Sequence, residues 1–460
     1  MKKVLMTIGG SDSSGGAGIQ ADIKTFAGLG FHGTSAITAA TAQNTLGVKM
    51  VYPLAPEAVA AQMEALVEDF EISAAKTGML SSKEIVSNVA EFFEGKKIPL
   101  VVDPVIEAEA GGRLLESPAV DLLCKRLIPL ARVVTPNIFE AETITGIEVR
   151  DEESALGAGL VIVDMGAEAA IVTGGHLEGN DVLVTAKGHV IIRGDKAEGG
   201  NHGVGCTYSA ALTAFLAKGL ELEEAAGAAK KFAKASVRKS INVGRGASPV
   251  NALGETLERA ERFDVLTEVQ EGVDLLMDEP EFRHLIPEVG SNLGMAISGA
   301  SGPRDVAAVE GRMVRVGYRV KACGAVRFGA SSHVARIILA AMSFDPEARA
   351  GMNIRYGPDV LEAVSDLGLT ASSFSRNSEP SGSKTMSWGT AEAIKRFRSR
   401  PGSGAGSPPD ISGSLPQVIW DRGGAGKEPM VRLLGASAAE VASIAVAIAR
   451  SPSVRREPIN

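Results

Sequence analysis

Four short apolar runs, ISAAKTG, PLVVDPV, ARVVTPN and AAIVTGG, recur through the first half of the chain, each ending in turn residues. Each has about the length of a buried strand, and helical patterns separate them. Strands covered by helices above and below are continuously apolar, because neither face meets water. The alternation therefore predicts an α/β fold: a mostly parallel sheet with helices on both faces. VLMTIGG reads as a further strand. The apolar run that follows the basic start MKK is too short for a leader and ends in a glycine turn. Ile19, Ile23 and Phe26 mark one helix face, and Val59, Met63, Leu66 and Phe70 another. DVLVTAKGHVIIRG alternates with period two around Lys187-Gly188, as a hairpin at the sheet edge does.

The pattern loosens through NVGRGASPVNALGE, so a first domain is expected over 1–255. The polar ETLERAERFD leads into an amphipathic helix with Leu266, Val269, Val273 and Leu276 on one face. A second, smaller α/β domain is expected over 264–460. Its strands are RMVRVGYRV, MNIRYG, QVIWDRGG and PMVRLLG, and its helices SSHVARIILAAM, DVLEAVSDLG and SAAEVASIAVAIA. The stretch 399–414, SRPGSGAGSPPDISGS, is low-complexity and reads as a mobile loop. Cation usage also divides the chain: residues 1–262 hold 16 lysines and 9 arginines, residues 263–460 hold 4 lysines and 18 arginines. Arginine's planar fork suits phosphate and carboxylate recognition.

Composition excludes several classes. A net charge of −8 gives no reason to expect nucleic acid as a partner. No run reaches the roughly 18–20 apolar residues of a membrane span. Cys124, Cys206 and Cys323 are odd in number and far apart, which fits a reducing cytoplasm and neither a disulfide framework nor a zinc site.

Two glycine-rich turns carry the chemistry of the first half. GGSDSSGGAGIQAD follows the first strand and opens a helix. GNHGVGCT opens the helix Gly203–Lys218, where successive backbone N–H groups form a nest for phosphoryl oxygens. Neither is a Walker A loop, since no Gly-Lys-Ser/Thr follows. Asp103 in DPV, with Asn137 and Glu140 in TPNIFEAE, stands where the ligand crevice of an open α/β sheet lies. Carboxylates there suit Mg²⁺ held through water, and each residue alone equally suits a helix cap.

In the second half, Arg315, Arg319 and Lys321 share one face of a strand and Val314, Val316, Tyr318 and Val320 the other. Ser331 or Ser332 caps a helix with His333 in its first turn. The turn DRGGAGKEP offers amides together with Arg422 and Lys427.

Together GGSDSSGGAGIQADIKTF, TAQNT, AKTGML, VVDPV, TPNIFEAE, TGGH and HGVGCTYSAAL resemble the hydroxymethylpyrimidine/phosphomethylpyrimidine kinases of thiamine synthesis, within the ribokinase superfamily. The resemblance implies ATP- and Mg²⁺-dependent phosphorylation of 4-amino-5-hydroxymethyl-2-methylpyrimidine and then of its monophosphate. It implies that Gln43 hydrogen-bonds the aminopyrimidine, with Gly10, Met79 and Val105 lining the pocket. Asp103 and Glu140 would organise Mg²⁺, Asn137 and Glu140 the phosphates, and Thr173 and Gly175 would sit beside ATP. Lys76 either joins them or pairs with a nearby carboxylate. Gly203, Gly205 and Cys206 would form the anion hole. Sugar kinases of the superfamily place an aspartate base where Cys206 stands, so a thiolate base at this helix N-terminus is the corresponding hypothesis. The family more often has threonine where this chain has Val204. Related kinases form dimers, which implies a homodimer. A pyridoxal kinase is the alternative; Gln43 and the second domain favour the pyrimidine.

RDVAAVEGRMVR, FGASSHVARIIL, DPEARAGMNIRYG, SFSRNSEP and DRGGAGKEPMVRLLG are similar to the ThiN-type thiamine-phosphate synthase domain. That resemblance implies coupling of the pyrimidine diphosphate to thiazole phosphate, giving thiamine phosphate and pyrophosphate. Arg312 and His333 lead as catalytic candidates, followed by Arg327, Arg422 and Lys427 as phosphate ligands. Similar domains in transcription regulators sense thiamine phosphate, so a sensor fused to the kinase is the rival reading.

Overall fold

A computed structural model describes residues 2–107, 114–175, 178–380, 385–399, 415–424 and 426–454. The low-complexity stretch 400–414 and His176 of TGGH lie outside these. The chain divides into two units, Met1–Leu257 and Glu258–Asn460.

The first unit is built on a nine-stranded sheet ordered β3-β2-β1-β4-β5-β6-β7-β8-β9. Its strands are β1 (Val4–Asp12), β2 (His32–Asn44), β3 (Gly47–Pro53), β4 (Ile72–Thr77), β5 (Leu100–Val102), β6 (Val133–Val134), β7 (Ala169–Val172), β8 (Asp181–Thr185) and β9 (Gly188–Ile192). The run from β2 to β7 is parallel, and the β8–β9 hairpin forms one edge, as its alternation predicts. At the other edge β3 turns back antiparallel along β2, a ribbon the apolar runs do not reveal because half its residues face solvent.

Neighbouring strand residues sort to opposite faces. Met6, Ala75, Val102, Val134 and Ala170 pack against α2 (Pro56–Asp69), α3 (Lys83–Phe93) and α4 (Ser117–Leu122). Leu5 and Ala74 pack beside Phe26 of α1 (Gly18–Gly28). Val101, Val133 and Ala169 meet α7 (Val204–Lys218) and α8 (Leu222–Arg238). This two-sided burial is why the strands read as unbroken apolar runs. Two further helices, α5 (Ile138–Thr145) and α6 (Glu152–Asp164), follow β6.

The polar ETLERAERFD is itself helical: α9 spans Gly254–Asp278 without a break. Val265, Val269, Val273 and Leu276 are its buried stripe, while Leu266 is only partly covered. The second unit's sheet is ordered β14-β11-β10-β15-β18-β17-β16. Its strands are β10 (Leu293–Ala296), β11 (Val306–Val309), β14 (Val326–Phe328), β15 (Ala350–Arg355), β16 (Ala371–Ser373), β17 (Val418–Asp421) and β18 (Met430–Gly435). All its pairings are antiparallel except β16–β17. α9, α11 (Pro358–Asp366) and α13 (Ala438–Arg450) cover one face, and α10 (Ser332–Met342) with α12 (Thr385–Arg398) the other. RMVRVGYRV is not one strand but a hairpin, β12 (Met313–Val316) and β13 (Arg319–Ala322). Gly317 takes φ +61° at its turn. Pairing Arg315 with Val320 and Val316 with Arg319 puts Arg315 on the face opposite Arg319 and Lys321, so the single basic face does not form.

α7 begins at an unusual cap. Gly203 has φ +86°, and a Cβ there would stand 2.0 Å from the carbonyl oxygen of Gly16. Gly219, at the other end, has φ +92° but no neighbour within 4 Å of such a Cβ. Gly219→Ala should therefore cost only left-handed strain, about 1–2 kcal/mol, and Gly203→Ala distinctly more. Urea denaturation of the first unit checks this; equal midpoints for the two variants would contradict it.

Candidate active sites

The first site is a cleft of about 1370 Å³. Asp103, Thr135 and Thr173 follow directly on β5, β6 and β7, which puts the cleft at the carboxyl edge of the parallel strands. Gly10, Gln43, Met79, Asp103, Val105, Asn137, Glu140, Thr173, Gly175, Gly203, Gly205 and Cys206 all line it. The fold thus gathers these first-half candidates in one place, with Lys76 not among the lining residues.

Beneath the cleft the Lys76 ammonium is wholly buried, 2.8 Å from Asp22 and 3.5 Å from Asp103. Burial opposes its charge, but Asp22 and Asp103 outweigh that and hold Lys76 above its usual range. Thr7 donates to the other oxygen of Asp22 at 2.7 Å, and Ser209 donates to Asp103 at 2.8 Å. Lys76 therefore does pair with carboxylates, one of them the cleft's own Asp103.

Asp12 gathers the first glycine loop. Its carboxylate accepts from the backbone of Ser14 at 2.8 Å, Gly16 at 3.0 Å and Ala17 at 2.8 Å. His202 Nε2 lies 3.0 Å from Asp12 Oδ2, which ties this loop to GNHGVGCT. Burial would raise Asp12, yet hydrogen bonds from His202, Ser14 and Ala17 bring it down to about 2. Neither Asp12 nor His202 stands out in the sequence, because a clasp between residues 190 apart leaves no local pattern.

Asn137 and Glu140 form a reciprocal capping box at the start of α5, at 3.0 and 2.9 Å, so they are caps as well as cleft residues. Burial, then the nearby Asp103, pushes Glu140 up to about 8. Cys206 bears on the thiolate hypothesis. Burial, with Asp22 and Asp103 adding to it and Lys76 opposing, pushes its thiol up to about 12. That direction runs against a thiolate at rest. Gln43 Oε1 accepts from Thr41 at 3.1 Å, and its backbone is latched to Ser13 at 2.9 Å.

The second site is a pocket of about 200 Å³ lined by Asn292, Arg312, Ser331, His333, Asn353, Arg376 and Lys427, among others. Ser331 caps α10, with His333 in the first turn as expected. Burial, then Arg432, Arg312, Arg336 and Arg376, pushes His333 down to about 4. Asn353 fixes the floor, accepting from the Asn292 backbone at 2.8 Å and donating to the Gly290 carbonyl at 2.9 Å.

Two candidate ligands do not join this pocket. Arg327 sits on edge strand β14, exposed and paired with Glu310. Arg422 is exposed over the Trp420 ring at 5.7 Å, because strand alternation turns Asp421 inward and its successor outward. Arg376, which the sequence reading did not single out, is there instead. The signal was a lone arginine in SFSRNSEP, without periodicity to distinguish it.

Residues 12–251 match the phosphomethylpyrimidine kinase family and residues 268–447 the thiamine-phosphate synthase ThiN family. The bifunctional thiamine biosynthesis protein ThiDN of Methanocaldococcus jannaschii is 33% identical over 95% of this chain and 96% of its own. The chain belongs to the ThiDN family. Its first unit is also 45% identical, over 54% of the chain and 96% of the relative, to the hydroxymethylpyrimidine/phosphomethylpyrimidine kinase of Haemophilus influenzae. Among solved structures, the ADP complex of Bacillus subtilis pyridoxal kinase covers 56% of this chain and all of that one, at 34% identity and TM-score 0.52. The fold is thus ribokinase-like, followed by a second, smaller α/β unit. As a ThiDN member the protein is an enzyme of thiamine biosynthesis with a kinase that uses ATP and a thiamine-phosphate synthase. No helix of the described residues is long and apolar enough to cross a membrane.

Two outcomes follow from the titrating groups. With Cys124 and Cys323 changed to Ser, the remaining Cys206 should resist iodoacetamide at pH 7–8, its alkylation rate still climbing tenfold per pH unit; a plateau below pH 9 would restore the thiolate. His333 is depressed from 6.5 to about 4 in the folded state. The unfolded chain then binds the extra proton between those values, so the second unit gains stability as pH rises through that window. His333→Gln should flatten this part of a plot of urea midpoint against pH.

Proposed function

We propose that the first unit phosphorylates 4-amino-5-hydroxymethyl-2-methylpyrimidine and then its monophosphate in the cleft, and that the second couples the diphosphate to thiazole phosphate. The working division is 1–255 for the kinase and 264–460 for the synthase. The observation that carries the kinase reading is the convergence of a ring-reading amide, an anion nest and two acidic groups in one cleft.

Gln43 offers a carboxamide donor and acceptor to the aminopyrimidine, with Gly10, Met79 and Val105 around the ring. The hydroxymethyl group then lies toward the N-terminus of α7. Backbone N–H groups of the Gly203–Cys206 turn stabilise the charge that develops on the transferred phosphoryl oxygens. Phosphoryl transfer depends mainly on position and charge stabilisation. A neutral Cys206 thiol therefore serves by hydrogen bonding near the attacking hydroxyl. Thr173 and Gly175 flank the nucleotide, and Asn137 holds phosphate.

The Glu140 carboxyl, raised by burial and then by Asp103, makes with Asp103 the kind of hard-oxygen pair that a divalent cation relieves. Among the described residues no cluster of three or more such ligands exists, so Mg²⁺ would be held by Asp103 and Glu140 with water and phosphate oxygens completing it. Bound there, it would neutralise charge on the ATP phosphates.

In the second unit, loss of pyrophosphate from the pyrimidine methylene leaves a resonance-stabilised cation. Arg312 and Lys427, both at the pocket, stabilise the departing charge. His333, neutral at rest, hydrogen-bonds phosphate and becomes more basic as an anion arrives. A homodimer in the cytoplasm is the working state.

The test supplies purified protein with hydroxymethylpyrimidine, ATP, Mg²⁺ and thiazole phosphate, and follows both diphosphate and thiamine phosphate. Thiamine phosphate is the expected product. Diphosphate accumulating alone would favour a sensor in the second unit, and no pyrimidine phosphorylation would sink the kinase assignment.

A further inference from the structure

Under the second unit's pocket lies a ladder of three charged side chains unused by the roles above. Arg432 on β18 is fully buried, with Nη2 2.8 Å from Asp421 Oδ2. Asp421, equally buried on the adjacent strand β17, also accepts Arg376 Nε at 2.5 Å and Arg376 Nη2 at 3.2 Å. Arg376 Nη2 donates again to the Glu428 carbonyl at 3.2 Å. Those bonds occupy Nε and Nη2, while the guanidinium lines the cavity. This leaves Nη1 for a ligand. Behind it, Arg432 Nε and Nη1 have no hydrogen-bond partner despite complete burial. Its guanidinium lies over Phe374 at 5.2 Å, and Nη2 is 3.6 Å from the sulfur of Met386, another cavity residue.

Two guanidiniums thus share a single carboxylate. The ladder carries one positive charge in excess, with Arg432 fully buried and Arg376 nearly so, and a buried cation without a counter-charge is destabilising. The excess is useful only if the pocket above receives an anion. Arg312 and Arg376 line the same pocket as His333, whose ring is pushed down by burial first and then by Arg432, Arg312, Arg336 and Arg376.

We propose that Arg376 is a further phosphate-binding residue of the second site, with Asp421 and Arg432 as the positioning residues that aim it. The inference rests on the synthase reading above. The ligand chemistry is a diphosphate group, whose adjacent oxygens suit a guanidinium held in a fixed plane. A flexible arginine would have to be ordered on binding; the ladder does that in advance.

The test uses the full chain without ATP, so the kinase is idle, and supplies hydroxymethylpyrimidine diphosphate and thiazole phosphate. It measures kcat, KM for the diphosphate and inhibition by inorganic pyrophosphate. Arg376→Gln should raise both KM and the inhibition constant about tenfold or more, and Arg376→Lys should recover part of that loss, keeping the charge but not the fork. Asp421→Asn should move the same two constants in the same direction, by less. Thermal melting checks that both Arg376→Gln and Asp421→Asn are folded. Unchanged KM and inhibition constants in folded Arg376→Gln would overturn the proposal, as would changes in Asp421→Asn confined to kcat and melting temperature. A wild-type chain that makes no thiamine phosphate from these substrates would instead overturn the synthase reading.

Discussion

The Lys76 ammonium, enclosed with Asp22 2.8 Å and Asp103 3.5 Å away, is the contact on which the first unit's cleft depends. It joins β4 to α1 and to the end of β5. Thr7 extends the network to β1 and Ser209 to α7. Without the cation, two buried carboxylates would face each other uncompensated, a change of about 3–5 kcal/mol. Asp103 would lose the partner that fixes its position at the cleft floor. Burial, more than these charges, raises the Cys206 thiol, which also feels two carboxylates and one ammonium at once.

The second unit inverts this arrangement. There a carboxylate, Asp421, lies between two guanidiniums, and the surplus is positive. Each polarity suits its cleft. Surplus acid under the first, where Glu140 is raised to about 8, favours a divalent cation. Surplus base under the second favours the anionic group that leaves. Both devices are buried salt bridges, which contribute little net stability by themselves. Their effect is to hold a functional side chain in one orientation.

Much of this was legible in the residues. The parallel strands announced themselves because two-sided burial forbids polar interruption, as in VVDPV and AAIVTGG. Much of the first cleft's lining was legible, since Asp103 and Thr173 follow directly on those strands and Gly203–Cys206 lie in a glycine-rich turn that opens a helix. Where one face is wet the signal fades: the β2–β3 ribbon and the true start of α9 at Gly254 carry no unbroken apolar run. RMVRVGYRV misled because its alternating pattern runs unbroken through a two-residue turn at Gly317-Tyr318, which reverses the chain and swaps the faces of the residues that follow. In the second pocket, adjacency in sequence misplaced Arg422, which points away from the side that Asp421 faces. Charges that meet only in three dimensions, such as Asp12 with His202 or Arg376 with Asp421, have no one-dimensional signature.

The cap of α7 has a consequence for descent. The carbonyl of Gly16 sits where any side chain at 203 would go, and the ring of His202 sits 2.2 Å from where one at 16 would go. The two turns are therefore complementary surfaces, each a mould of the other, although nearly two hundred residues separate them. A change of length or shape in one is acceptable only with a matching change in its counterpart. Exchanging one turn between distant relatives would break the fit, whereas exchanging both together would carry it intact.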